Sequence, residues 1–368
     1  MERKLVAFVD GDRHKRASGY GEFARGMLLA LDQSDTFDVA VLPGAPGFDD
    51  IGQQRERLQK VHVIDRVEDA DLVLQICQPA GIASFPRPTA FYTMFDTSAM
   101  PGSSVAKMLE NRPQVVLVPN LYNARFLRPT FSNVHVAPPP MDISLFKPRH
   151  HQRAGGKSEF TFVFQGSYGF RKGVDLLLRA FLDEFKAGEA RLHLHCPNLS
   201  IDQADEILRR VTGHPSPPRI ELFGKTYTRE WMANFYNMAD AFVSLTRAEA
   251  WGLPICEAIL CERPVVTSFD WAMAEYLPHD YPYLVSGRRQ RVDEIDSAFG
   301  ANWRGNHQEP GSEYFEASVE DARAKLRAVV EDRERAAEHA RQARAHLLSH
   351  FHPKQAGAAL EQGLLALL

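Results

Sequence analysis

Apolar residues in this chain come in short runs bounded by turn residues, and longer amphipathic stretches lie between the runs. That alternation is the pattern of a parallel sheet covered by helices on both faces. It predicts strands at Lys4 to Val9, Phe37 to Leu42, Val61 to Ile64, Asp71 to Ile76, Thr89 to Thr93, Gln114 to Val118 and Asn133 to Ala137. A second series follows at Phe160 to Gln165, Arg191 to His195, Arg219 to Phe223, Ala241 to Leu245 and Arg263 to Thr267. Helical spacing marks Tyr20 to Asp32, with Phe23, Met27, Ala30 and Leu31 on one face. It also marks the stretch after Gly173, with Val174, Leu177, Leu178, Phe181, Leu182 and Phe185 on one face, then Asp202 to Val211 and Arg229 to Met238. Ser318 to Phe351 reads as one long helix or a pair, and Gln355 to Leu368 is apolar at helical spacing.

The two series are separated by Ala137-Pro-Pro-Pro-Met-Asp142-Ile-Ser-Leu-Phe146-Lys-Pro148, which cannot continue a central strand, and by the polar run from 150 to 157. The expected organisation is therefore a first domain over 1–148, a linker over 149–158, a second domain over 159–352 and a final helix over 353–368.

Three junctions between strand and helix carry candidate chemistry. After the first strand, Ser18-Gly19-Tyr-Gly21 lets the backbone approach a ligand or simply turn. After Gln165, the loop Gly166-Ser167-Tyr-Gly-Phe-Arg171-Lys172-Gly173 puts two cations at a helix start, where they oppose the local dipole unless an anion lies beside them. The third junction is Thr246-Arg-Ala-Glu249-Ala-Trp-Gly252-Leu253-Pro254-Ile-Cys-Glu257. Gly252 permits a tight turn and Pro254 suits a first helical turn. The amides at that turn suit an anion, and Glu249 and Glu257 suit sugar hydroxyls, although each alone also reads as ordinary surface or first-turn decoration.

The string Glu249-Ala-Trp-Gly-Leu-Pro-Ile-Cys-Glu257 resembles the Glu-x7-Glu signature of the retaining "group 1", or family 4, glycosyltransferases. The resemblance implies the GT-B architecture: two Rossmann-like α/β domains facing a central cleft, with the C-terminal helix crossing back to the first. It implies transfer of a sugar, with retention, from a nucleotide diphosphate sugar (a UDP-sugar or GDP-mannose) to a hydroxyl of a sugar, glycan or lipid-linked acceptor. By that resemblance Glu249 contacts the donor sugar, Glu257 the ribose, and Gly252, Leu253 and Pro254 the phosphates. Arg171 and Lys172 match the cation pair that neutralises the diphosphate, with Gly166 and Ser167 in the same loop; Ser167 stands where many members have a further arginine. Gly19 and Gly21 stand at the donor- or acceptor-facing first junction, and Asp142, Phe146 and Pro148 fit the family's hinge element. Many members place a histidine near Tyr92-Thr-Met-Phe-Asp96, which has none; Asp96 is an acceptor-side candidate or the cap of the helix region from Ser103 to Glu110. Gly224, ending a strand, lies where a nucleotide base belongs in a Rossmann-like half. No resident cofactor or metal is implied, the nucleotide sugar being a co-substrate. Other readings of the same residues are a glycoside hydrolase, a sugar-nucleotide epimerase of similar shape and a non-catalytic nucleotide-binding subunit.

Composition narrows the partners. A formal net charge of -4 argues against a nucleic-acid binder. The opening apolar run is a strand rather than a leader, and no run approaches the roughly 20 residues that span a bilayer, so a cytoplasmic protein with at most peripheral membrane contact is expected. Cys77, Cys196, Cys256 and Cys261 lack paired spacing and read as buried thiols. Asp10-Gly-Asp12 reads as a polar loop, and His193 and His195, on one strand face, as packing or surface residues rather than metal ligands.

Overall fold

A computed structural model describes residues 3–16, 18–44, 54–149, 159–197, 199–270, 272–295 and 311–368. The linker expected over 149–158 lies outside these apart from Arg149, whose backbone N–H donates to Asn237 Oδ1 at 2.8 Å. Two compact units emerge, one of 1–142 with 349–368 and one of 143–348.

In the first unit the elements are β1 (Lys4–Val9), α1 (Gly19–Leu31), β2 (Phe37–Val41), α2 (Gln54–Leu58), β3 (His62–Val63) and β4 (Leu72–Ile76). They continue with β5 (Thr89–Tyr92), α3 (Gly102–Asn111), β6 (Val115–Val118), α4 (Leu121–Leu127) and β7 (Val134–Val136). The sheet is parallel in the order β3-β2-β1-β4-β5-β6-β7. Its inner strands β4, β5 and β6 are buried along their whole length, as a sheet covered on both faces requires. On one side Phe91, Val116 and Val118 pack with Met108 of α3 and Ala124 and Leu127 of α4.

The second unit runs β8 (Phe160–Gln165), α5 (Val174–Glu184), β9 (Ala190–His195), α6 (Ile201–Thr212), β10 (Arg219–Phe223), α7 (Arg229–Met238) and β11 (Ala241–Ser244). It continues with α8 (Leu253–Leu260), β12 (Val265–Ser268), α9 (Met273–Tyr276), β13 (Leu284–Val285), β14 (Gly287–Arg291) and β15 (Glu313–Ala317). The sheet is again parallel, β10-β9-β8-β11-β12-β13, with β14 and β15 as a separate antiparallel pair. Both sheets contain the Rossmann strand order, in which a crevice opens at the carboxyl ends of the two strands where the order reverses. Those strands are β1 and β4 in the first unit, and β8 and β11 in the second.

The stretch left as one helix or two is a pair, α10 (Val319–Glu331) and α11 (Arg333–Phe351), broken at Asp332. The last helix, α12 (Pro353–Leu365), belongs to the first unit. It packs on α1, β6 and β7 through the buried Leu360, Leu364 and Gly363, and a Cβ on Gly363 would come within 2.4 Å of Leu117. The final helix thus returns to the N-terminal domain as expected.

One buried side chain ties the second unit together at the β8/β11 reversal. Arg247, three residues beyond β11, is 1% exposed, and all five of its guanidinium donors are engaged. Nη1 reaches Phe170 O and Asp175 Oδ1, both at 2.7 Å, and Nη2 reaches Asp175 Oδ2 at 2.8 Å and Glu316 Oε1 at 3.0 Å. Nε takes the other Glu316 oxygen, and the cation lies 3.8 Å from the Phe170 ring centroid. Its backbone N–H donates to Arg171 O at 2.7 Å and its carbonyl accepts from Phe315 N at 2.8 Å. Segments far apart in sequence are thereby held in one register. Arg247→Met leaves two carboxylates, each about a quarter exposed, without their cation. The expected loss is about 2–4 kcal/mol, below the upper end for a fully buried pair because water still reaches the carboxylates. Denaturant unfolding checks this; an unchanged midpoint contradicts the role given to Arg247.

Candidate functional site

The loops that leave β8 and β11 carry the cations and the first glutamate. Beyond Gln165 the chain passes Gly166 and Ser167, makes a short 3-10 turn at Phe170–Lys172 and enters α5 through Gly173, whose φ is 66°. A Cβ on Gly173 would stand 1.8 Å from Leu245 O, so glycine is required both by its left-handed backbone and by the approach of the second loop. Thr246 Oγ1 donates to Arg171 O at 3.1 Å, and Arg171 Nη1 donates to Ala248 O at 2.9 Å. Gly166 faces the Lys172 stem, with a notional Cβ 3.5 Å from Lys172 Cγ.

Stitched in this way, the loops bring Lys172 Nζ onto Glu249 Oε2 and Arg171 Nη1 to 3.6 Å from the same oxygen. These three side chains are 13–25% exposed. Burial is the largest influence on the Glu249 carboxyl and favours its neutral form. Lys172, then Arg171, the Lys172 hydrogen bond and the Gly252 N–H together outweigh burial and hold the carboxyl below its ordinary range. The anion that the sequence demanded beside the two cations is, in this structure, Glu249 itself.

The turn into α8 differs in detail from the expected cluster of unpaired amides. Gly252 has φ 84° and precedes Leu253 and Pro254 in the first turn. Its N–H goes to Glu249, that of Ile255 goes to Gly252 O at 2.9 Å, and Pro254 has none. A Cβ on Gly252 would come to 2.9 Å from the Tyr276 hydroxyl and 3.3 Å from Glu249 Cγ, so the glycine also makes room for the glutamate.

Glu257 lies inside α8 and is only 5% exposed. Arg229 Nη2 donates to its Oε1 at 2.6 Å and the Tyr236 hydroxyl to its Oε2 at 2.8 Å. Arg229 in turn lies 4.6 Å from the ring centroid of Phe146, which packs edge-on against Tyr236. Burial first, and then the Glu257 charge, push the Tyr236 phenol well up, so it remains a donor. The sequence did not single out Arg229, Tyr236 or Arg247. Arg229 and Tyr236 sit on α7, and nothing in the local pattern of that helix points to a carboxylate one strand and one turn later.

Gly224, just past β10, has Leu199 Cβ 3.4 Å from a notional Cβ of its own. Beside it, Tyr227 stacks on Trp231 at 3.8 Å and 11°, and His195 Nε2 donates to Lys225 O at 2.9 Å. Burial lowers the affinity of His193 and His195 for a proton, and His193 lies 3.2 Å from Glu221. No group of three or more His, Cys, Asp or Glu placed to hold a metal occurs among the described residues.

In the first unit, Ser18 caps α1 by accepting from Gly21 N at 3.1 Å. A Cβ on Gly21 would fall 2.1 Å from Arg16 O, so this glycine serves the fold of its own loop, whereas a Cβ on Gly19 would have nothing within 4 Å. Asp10 holds His14 Nδ1 at 2.9 Å and Asp12 holds Lys15 at 3.0 Å, which makes Asp10-Gly-Asp12 an internally tied loop. The cap position of α3 is Pro101, which makes no side-chain bond of its own. After burial, the Asp96 charge is the next influence that raises the Tyr20 phenol, so these two residues face the same surroundings.

Residues 159–297 match the family model described as "Glycosyl transferases group 1". No curated protein matches by sequence. Among solved structures, Alr3699/HepE of Anabaena in complex with UDP and glucose superposes with a TM-score of 0.69 at 15% identity, covering 99% of this chain and 100% of that one. Sucrose-phosphate synthase (tll1590) from Thermosynechococcus elongatus gives 0.68 at 15% identity, covering 99% and 98%. A glycosyltransferase from Rickettsia africae gives 0.67 at 12% identity, covering 100% and 99%. The chain has the GT-B fold, and within it the stretch 159–297 is similar to the group 1 glycosyltransferases.

Proposed function

We propose that the protein is a retaining glycosyltransferase that moves a sugar from a nucleotide diphosphate sugar to a hydroxyl acceptor. The observation that carries this reading is the convergence of Arg171, Lys172 and Glu249 at the β8/β11 reversal, on the α8 whose Glu257 is held by Arg229 and Tyr236. Further support comes from one protein of the same fold, Alr3699/HepE, whose structures hold UDP, UDP with glucose, and UDP-glucose.

In the proposed reaction, the bond from the anomeric carbon to the diphosphate breaks as the ring becomes oxocarbenium-like, so stabilisation is needed where negative charge grows on the leaving oxygens. Lys172 and Arg171 supply it, and Glu249 accepts from a sugar hydroxyl. Glu257, its carboxylate oriented by Arg229 and Tyr236, accepts from a ribose hydroxyl. Gly224 and the Tyr227–Trp231 stack flank the base. The acceptor falls to the first unit, at the start of α1 with Gly19 and Gly21 and at the loop after β5 that carries Asp96.

The surroundings of the two glutamates argue against a glycoside hydrolase. Such an enzyme needs one carboxyl kept protonated by its environment. Glu249 is held ionised, and Glu257 is paired with Arg229.

Lys172→Ala and Glu249→Ala are each expected to lower transfer by about two or more orders of magnitude, the scale of losses at comparable electrostatic sites. Turnover of purified, folded variants with UDP- and GDP-sugars checks this, and unimpaired turnover contradicts it. Glu257→Gln is expected to raise KM for the donor about tenfold or more with a smaller change in kcat, because a ribose contact binds ground and transition states alike. The same variant should discriminate less between a donor and its 2′- or 3′-deoxyribose analogue. Undiminished discrimination removes Glu257 from the ribose.

A further inference from the structure

The Glu249 carboxylate takes the same partners that the proposed reaction assigns to the leaving diphosphate. Lys172 Nζ is on its Oε2, Arg171 Nη1 is 3.6 Å from that oxygen, and the Gly252 N–H donates to the same group. We propose that Glu249 and the donor's diphosphate compete for Lys172 and Arg171, and that a nucleotide sugar binds by displacing this carboxylate onto one of its own sugar hydroxyls. This inference rests on the reading of Lys172 and Arg171 as diphosphate ligands.

The physical case is one of competing anions. A diphosphate brought against the same cations with Glu249 in place would set like charges in contact in a part-buried site, where repulsion is screened little. The carboxylate must therefore move when the diphosphate arrives. Its stem lies against Gly252, where even a Cβ would stand 3.3 Å from Glu249 Cγ. Glycine at that position leaves the side chain space to shift while the backbone, held by Thr246, Arg247 and Ala248 to the cation loop, stays in register.

Two ligands that carry the same diphosphate then fare differently. A nucleotide sugar offers the displaced carboxylate a hydroxyl, whereas a free nucleoside diphosphate leaves it part-buried without a replacement partner. The site consequently favours donor over spent nucleotide. This assists product release, a step that often limits turnover.

The test compares the affinities of UDP, GDP, UDP-glucose and GDP-mannose by calorimetry for the wild-type protein, Glu249→Gln, Lys172→Met and the double variant. Glu249→Gln keeps shape and removes charge; it is expected to bind the effective nucleoside diphosphate about tenfold or more tightly, in line with coupling between close charges. Its preference for the sugar-bearing form should shrink or invert. Lys172→Met is expected to weaken diphosphate binding, and in that background the gain from Glu249→Gln should largely vanish. A damaged fold weakens binding, so tighter binding cannot come from misfolding; if Glu249→Gln does not fold, Glu249→Ala provides the same comparison. Equal or weaker diphosphate binding by a folded Glu249 variant, with Lys172→Met still weakening it, overturns the displacement and leaves the transferase reading intact. If wild type binds none of the four ligands, or Lys172→Met binds them as wild type does, the diphosphate reading fails and the displacement with it.

Discussion

A desolvated arginine whose five donors all find oxygen acceptors is the constraint on which the second unit's site depends. Burying a guanidinium with its carboxylates is costly, and replacing such a set as a whole by packed apolar groups often serves stability as well or better, although removing the arginine alone does not. What the set of Arg247, Asp175 and Glu316 contributes is direction rather than net stabilisation. Its planar fork engages Asp175 through both oxygens and Glu316 through both oxygens, while its main chain holds Arg171 and Phe315. Four segments meet at one side chain, and the strand reversal between β8 and β11 brings their loops close enough to do so. Lys172 and Glu249, on the two loops so joined, therefore face each other.

The same design recurs at Glu257 on a smaller scale. A buried carboxylate is tolerable only if its lone pairs are engaged, and Arg229 and Tyr236 engage one oxygen each. Phe146 supports both through ring contacts. The two glutamates that the motif pairs by spacing thus have different settings. Glu249 meets cations on the neighbouring loop, whereas Glu257 is locked to the adjacent helix.

The strands up to β12 were legible because most parallel strands in a covered sheet read as apolar runs, whereas the short β13 and the polar pair β14 and β15 were not expected. Phe160–Gln165 and Arg219–Phe223 fall where the pattern puts them, and most others differ only at their ends. The local chemistry of the Arg171-Lys172 and Glu249 loops was also visible, since dipoles and glycine turns act within a few residues. Contacts that depend on the sheet order were not. Arg247 reads as one more charged loop residue until β8 and β11 are adjacent, and its partner Glu316 lies on a strand far along the chain. Nor could spacing show that Gly21 serves its own loop, or that the Gly252 amide is already engaged by Glu249.

The return of α12 to the first unit has a consequence for how the protein is made. Residues 1–142 form a sheet whose surface near Leu117 and His135 is finished only by Gly363 and its neighbours. The ribosome adds roughly 5–20 residues per second, so on the order of ten seconds or more separates the emergence of that surface from its cover. Meanwhile the intervening 143–348 can fold as an insert. The nascent chain thus carries an uncovered apolar seam until its last helix has been made.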